Sequence, residues 1–401
     1  MLAVLAAVNM VNWADRSVVP ILFPPIRAEM GLTDTQLGVI GGLSFSVVYA
    51  VAAFGFGWAA DRYRRRNLIM SGLVVWSLAT AASGLATDFW SLFGARFFTG
   101  IGEASLYPAA MSLIAERFPI AQRGKAMGVF GATAALGSGA GVALGGFLAE
   151  ALGWRQVFFF YGAGGLLLLP FLASVTEDVR AVRHAESERS VSIVVGFLRD
   201  GRLMWLWMTG MVMIGSAIGY AAWVPSYFER VRGMDLVTAG YLFGAANAVG
   251  GIVGALLGGV FADRMRRRRL AGEIDVSTIA ALMTVPFLFL TLLSPTPAMF
   301  MIGALLTSVA AHAFFPSMQT VMFEISPAKN HGLVYATHIL FLGGIGSALG
   351  PLVVGYVSDV SGSLLAAMLV PAIGILAASA MARRTGKFVR ARTPDPGTVS
   401  G

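Results

Sequence analysis

Apolar runs of about 20 residues recur along the whole chain, and a helix of that length crosses the ~30 Å hydrocarbon core of a bilayer. Twelve spans can be placed, at about 2–23, 35–60, 67–86, 89–112, 122–150, 154–175, 203–228, 236–262, 273–293, 297–323, 331–358 and 362–382. A chain of 401 residues that is 57% hydrophobic and 12% charged is not composed like a soluble domain. The reading is an all-α membrane protein with twelve transmembrane helices.

The basic residues orient it. If the first span starts in the cytoplasm, 23 of the 29 Lys and Arg fall in cytoplasmic loops or the C-terminal tail. The outer loops keep Arg27, Arg155, Arg230 and Arg232, and Arg16 and Arg96 lie inside spans. The positive-inside rule then puts both termini in the cytoplasm, with a bacterial inner membrane as the expected location. The net charge of +8 reads as topology facing anionic headgroups of the lipid bilayer, and no nucleic-acid partner is expected. There is no cysteine, and the histidines at 184, 312, 331 and 338 lack metal-ligand spacing, so no metal and no cofactor are expected. Leu2 runs straight into the first span with no cleavable signal, and a native N-terminus longer than this one is expected.

The longest connection, 176–202, is polar and charged and divides the chain into a six-helix bundle at 1–175 and another at 203–382. A short amphipathic surface helix is expected at 192–199, and a disordered cytoplasmic tail at 383–401. The two halves repeat each other. Gly57, Asp61 and Arg62, with Arg64, Arg65 and Arg66, are matched 202 residues later by Gly259, Asp263 and Arg264, with Arg266 to Arg269. Phe118-Pro119 and Arg123-Gly124 are matched 208 residues later by Ser326-Pro327 and His331-Gly332. Glycines at 131–146 and 343–355 suit close helix packing through small residues. Paired six-helix repeats point to a transporter with its substrate site at the midplane, working as a monomer.

Two spans carry charge. Arg96 and Glu103 sit seven residues apart at 88–112, nearly on one helix face and roughly 10 Å apart along the axis. Asp15 and Arg16 lie at 11–20. A charge near the bilayer centre costs roughly 2.5–3.5 kcal/mol, so such a face must meet protein or water. One reading is a static ionic lock between the first and fourth helices. The other is an internal cavity in which Asp15 and Glu103 exchange protons, coupling them to movement of a substrate held by Arg16 and Arg96. A carboxylate poised between burial and a neighbouring arginine can change protonation when helices shift. The second half offers milder candidates, Tyr220, Trp223, Asn247, His312 and Gln319. Of these, Asn247 and His312 are the substrate-binding candidates, together with Tyr49 of the first half. No intramembrane Ser-His pair or nucleophile motif supports an enzyme.

The Gly-Asp-Arg-basic loop resembles the loop between spans two and three of the major facilitator superfamily, with Arg64 where that motif usually has a second glycine. The resemblance implies a gating role for Asp61, Arg62, Asp263 and Arg264. More closely, Asn12, Asp15 and Arg16, then Asp61-Arg62-Tyr63 with Arg65 and Arg66, then Arg96 and Gly100-Ile-Gly-Glu103-Ala-Ser105, are similar to the Spinster family over about residues 11–130. That resemblance implies a proton-linked transporter of lysophospholipids or sphingoid lipids. Related organic-anion facilitators carry a Gly/Phe-Glu-Ala variant in the same helix. A proton-linked symporter of a small carboxylate or sugar acid is therefore the alternative, and drug efflux a third.

Overall fold

The computed structural model describes residues 1–60, 62–176, 188–268, 272–327 and 330–392, and these are almost wholly helical. In the first half α1 (Leu2–Ile21) leads into α2 (Phe23–Met30). A continuous rod follows, made of α3 (Asp34–Gly38), a π-helical turn over Val39–Leu43 and α4 (Ser44–Ala60). Then come α5 (Arg65–Ser83), α6 (Phe89–Glu103), α7 (Leu106–Arg117), α8 (Ile120–Leu152), α9 (Trp154–Leu166) and α10 (Leu169–Ala173). After α11 (Glu188–Arg199) the second half runs α12 (Gly201–Arg232), α13 (Leu236–Arg266), α14 (Glu273–Leu292) and α15 (Pro297–Glu324). It ends with α16 (His331–Ile339), a π segment over Leu340–Gly346, α17 (Ser347–Ser361), α18 (Leu364–Ala367) and α19 (Leu369–Arg392).

Among the described residues, nine helical stretches are long and apolar enough to cross a membrane. The other three expected spans are helical too, as α1, α5 and the pair α6 and α7. Two of them carry the intramembrane charges.

The structure corrects the reading in three places. The first span ends at Ile21, and the chain turns through Leu22 into α2. The span expected at 89–112 is broken at Ala104 and Ser105. Pro108 has no N–H to give Ala104 a helical hydrogen bond, and the Ser105 hydroxyl donates to the Gly102 carbonyl at 2.8 Å. Glu103 therefore sits at the last residue of α6, beside a break in the ladder. Finally, the tail expected to be disordered from Arg383 continues α19 to Arg392. Ala382, Thr385 and Val389 are buried along it, so this helix has a face to pack. Residues 393–401 and 177–187 lie outside the described residues.

Local chemistry repeats between halves. Thr33 and Asp235, 202 residues apart, each cap a helix start through the side chain, and so do Asp88 and Thr296, 208 apart. Helices stop at glycines with positive φ, at Gly31 and Gly233 and again at Gly153 and Gly362. Side chains at these starts and stops set the lengths of the rods. Small residues then bring them together, because packing contact rather than water exclusion holds helices in lipid. A Cβ on Gly137 or Gly141 of α8 would strike the backbone of Met10 or Ala14 in α1. In the second half, a Cβ on Gly346 or Gly350 would strike Met211 or Gly215 of α12.

The halves touch at one end and part at the other. At the Asp34 end, Gly38 and Gly42 press on the backbone of Pro351 and Ala348, and Gly139 presses on Gly244. The last such contact along the rod is Gly344 against Ala50. Towards the arginine-rich end, a Cβ on Gly55 or Gly57 of α4, or Gly124 or Gly128 of α8, would meet nothing. Val51, Phe54 and Trp58 are exposed there.

Candidate functional site

The four intramembrane charges come together, paired crosswise between α1 and α6. Arg16 donates through Nη2 and Nε to Glu103 Oε2, at 2.9 and 3.3 Å. Arg96 Nη1 reaches Asp15 Oδ1 at 3.4 Å. The sequence spacing permits this geometry without choosing the partners: neighbours 15 and 16 diverge by about 100° on their helix, while 96 and 103 stack on one face two turns apart. Each member of one pair thus meets a different member of the other. The Thr80 hydroxyl of α5 donates a further, short hydrogen bond to Asp15.

Burial separates the four. Asp15, Arg96 and Glu103 are at most 2% exposed, whereas a quarter of the Arg16 side chain (24%) is open. Arg16 lies within the bundle, boxed by the rings of Trp13, Phe45 and Tyr49 at 4.7, 4.6 and 4.5 Å from its guanidinium carbon. Phe45 also lies 5.4 Å from the Arg96 guanidinium, and it stacks on Tyr49 with centroids 5.6 Å apart. These rings attract cations through their faces, while the guanidinium edge is turned to Glu103. Tyr49, a substrate candidate from the sequence, is therefore part of the box that holds Arg16.

The cluster is formally neutral and incompletely satisfied. Glu103 Oε1, Arg96 Nε and Asn12 Nδ2 are buried without a hydrogen-bond partner among the described residues. Buried ion pairs gain little stability once desolvation is counted, and each unpaired atom adds to the cost. The site can accept a proton on an unpartnered carboxylate oxygen. It then carries a net positive charge.

A polar line leads from this cluster into the second half. The Ser17 hydroxyl donates to Ser138 of α8 at 2.8 Å, and Asn247 Nδ2 of α13 donates to the same Ser138 oxygen at 3.4 Å. The Ser308 hydroxyl of α15 donates to Asn247 Oδ1 at 3.3 Å, and His312 Nδ1 lies 2.9 Å from the Ser308 carbonyl. The second half is thus polar where it meets Ser138. Tyr220 and Trp223, also candidates, are buried away from this line. Tyr220 packs on Phe243, and the Trp223 indole donates to the Pro351 carbonyl at 2.9 Å.

Of the loop residues expected to gate, Asp61 lies outside the described residues. Arg62 folds onto Trp58, its guanidinium 4.1 Å from the ring. Asp263 and Arg264 form no ion pair among the described residues. Their neighbour Arg266 does, reaching Glu324 at 2.6 Å and Glu273 at 3.8 Å. In the first half Arg65 pairs with Glu116 at 3.3 Å. Glu116 and Glu324 are 208 residues apart, so this tie is repeated within each half.

Thr80, Phe45, Trp13 and Ser138 are site residues that the sequence reading did not select. Phe45 and Tyr49, one turn apart, were legible as a pair on one face. Thr80 has no local signal, because its partner lies 65 residues away.

The family model described as Major Facilitator Superfamily matches residues 5–274 and 250–398. The chain is 31% identical over 282 residues to a probable sulfoacetate transporter of Cupriavidus necator, covering 67% of this chain and 65% of that protein. It is 25% identical to protein spinster homolog 3 of Danio rerio, covering 89% of this chain and 76% of that one. A solved bacterial homologue of the human lysosomal transporter Spinster, inward-facing and unoccupied, superposes with a TM-score of 0.86 at 21% identity, over 98% of each chain.

Proposed function

The chain belongs to the major facilitator superfamily, and from that premise we propose that it is a proton-coupled, alternating-access symporter of an organic anion. It is a multi-pass membrane transporter and not an enzyme. The observation that carries the proposal is the unequal burial of one ion pair: Glu103 is buried while a quarter of the Arg16 side chain is exposed.

An anion entering between the halves competes with Glu103 for the Arg16 guanidinium. Losing Arg16 would strand a buried carboxylate, which costs about 3–5 kcal/mol. A proton on Glu103 removes that cost, so anion and proton favour each other's binding. Coupled binding of this kind makes a symporter. Asp15 and Arg96 form a second, deeper pair that adjusts with the first. The opening at the arginine-rich end corresponds to the cytoplasmic side under the positive-inside bias. The solved Spinster homologue is likewise inward-facing.

The polar groups of Asn247, Ser308 and His312 favour a small, hydrogen-bonding anion, in keeping with the sulfoacetate relative. An amphiphilic lipid is the second reading, favoured by the Asn12-Asp15-Arg16 and Gly-Glu103-Ala-Ser motifs and the zebrafish relative. The deciding experiment measures flux of labelled sulfoacetate, a labelled sugar acid and a labelled lysophospholipid into proteoliposomes, with and without a pH gradient. Gradient-stimulated uptake of a soluble acid alone is expected. Lysolipid movement alone selects the second reading. Gradient-driven flux that survives in both Glu103→Gln and Asp15→Asn overturns the coupling.

A further inference from the structure

Where α11 meets the start of α12, the second half carries basic and apolar groups that transport leaves unused. The helix α11, in contact with α12 and α16, has two apolar sides. On one, Phe197 is 7% exposed and Ile193, one turn away, packs on the core beside it. Val195 and Leu198 lie about 150° round the helix from that pair and are 39% and 40% exposed. Beside them is an open recess of about 550 Å³ lined by Gly196, Arg199, Asp200, Gly201 and Arg202. Its two arginines are not equivalent. Asp200 caps α12 by accepting the Arg202 backbone N–H at 2.9 Å, and it also accepts the Arg202 guanidinium at 2.9 and 3.2 Å. Arg199 is exposed and forms no ion pair or hydrogen bond among the described residues. A Cβ on Gly196 would meet nothing, so the recess stays open on that side. On the other, a Cβ on Gly201 would meet the Phe388 ring of α19 at 3.4 Å. One turn before Phe388, the Arg384 guanidinium lies 5.0 Å from the Trp205 ring.

We propose that this recess binds the headgroup of one anionic phospholipid of the cytoplasmic leaflet, with the lipid chains against Val195 and Leu198. Arg199 supplies the unpaired cation, and Arg384 adds a second at the level of Trp205. Three features together select a lipid. A phosphate answers the charge of Arg199. A helix with an apolar face and charged neighbours lies in the plane of the membrane interface, where that face meets hydrocarbon. Tryptophan is enriched at headgroup level, which sets the depth of Trp205 and its arginine. A soluble phosphate would satisfy the first feature and leave Val195 and Leu198 in water. The site is separate from the central charges and independent of what they carry.

The test titrates the detergent-solubilised protein with phosphatidylglycerol and counts bound lipid by native mass spectrometry. Phosphatidylcholine and glycerol 3-phosphate serve as the zwitterionic and soluble comparisons. One phosphatidylglycerol is expected to bind more tightly than the rest and to resist both. Arg199→Gln and Arg384→Gln should each weaken it about fivefold, the contribution of one basic residue near an anionic surface. Arg267→Gln removes the same charge from a different recess, shared with Asp263 and Arg266, and should leave that lipid in place. An equal loss in Arg267→Gln means diffuse attraction and overturns the site, as does full affinity in both Arg199→Gln and Arg384→Gln. Displacement by glycerol 3-phosphate overturns the choice of a lipid. A second arm uses the absence of native cysteine. A spin label on Val195→Cys, in nanodiscs containing phosphatidylglycerol, should be relaxed by oxygen, which concentrates in hydrocarbon, more than by a water-soluble nickel chelate. The reverse order places that face in water and overturns the proposal.

Discussion

Gly141 of α8 packs on Ala14 of α1, and in the second half Gly350 of α17 packs on Gly215 of α12. Ala14 and Gly215 are 201 residues apart, and one position further along, the halves diverge. The first continues with Asp15 and Arg16, the second with Ser216 and Ala217. The same holds where α6 and α15 correspond, counted from their caps at Asp88 and Thr296. Arg96 and Glu103 stand opposite Ala304 and Ala311. One scaffold therefore buries an ionic quartet in its first copy and small neutral residues in its second. Both ion pairs join helices of the same half, so a rocking motion between halves does not break them. Under the proposed coupling, titration acts on that half as a unit, while Asn247, Ser308 and His312 supply hydrogen-bonding groups from the other.

The sharpest way to break this comparison is to remove the titration. Glu103→Gln is expected to lower pH-gradient-driven uptake by about 100-fold or more, the scale of losing an intramembrane proton site, while exchange of labelled for unlabelled substrate persists. Proteoliposome flux measures both. Next comes Arg96→Ala, which strands Asp15 and should cost about 3–5 kcal/mol of stability, much of it regained in the Asp15→Ala/Arg96→Ala double variant. Thermal unfolding in detergent checks this, and two additive losses would show that the pair is not a unit. Placing charge in the uncharged copy with Ser216→Asp should cost about 2–4 kcal/mol, because no cation pairs with Ser216 among the described residues. Equal stability would mean that the second half tolerates what the first was built for. His312→Ala and Asn247→Ala should raise KM roughly threefold to tenfold, the cost of about one hydrogen bond, while the dependence on the pH gradient stays intact.

The smallest effect belongs to the rim. Glu29 accepts from the Trp154 indole at 2.6 Å and pairs with Arg155 at 2.9 Å. The Trp154 and Arg155 hydrogen bonds hold its carboxyl below the ordinary glutamate value of 4.5. A lowered value means stability that is present above the ordinary range and lost as pH falls through the shifted one. Glu29→Gln should therefore cost less than about 1 kcal/mol at neutral pH, since the pair is exposed. The difference from the parent should vanish in acid, as unfolding midpoints between pH 3 and 7 would show.

Helix-by-helix, most of the fold was written in the chain. Apolar runs located the rods, and repeated capping residues and glycines such as Gly31 and Gly233 marked where they begin and end. These are local signals, carried by side chains within a few residues of the bond they make or forbid. The break after Glu103 was local too, but Pro108 was passed over inside an otherwise continuous apolar run. The end of α19 was misread because the burial of Ala382 and Val389 depends on neighbours that composition does not name.

Hydropathy and repeated motifs thus establish a chain that spans a membrane as helices in two related halves, with four charges set in the first. Hydropathy and helical spacing act along the chain and need no partner. Tertiary structure alone decided that Arg16 pairs with Glu103 and Asp15 with Arg96, that Phe45 lies between the two guanidiniums, and that Asp34 meets Arg230 from 196 residues away. Charges carry no address in the sequence; which of several partners each one finds is fixed only when close-packed helices leave a single geometry in which it is not stranded.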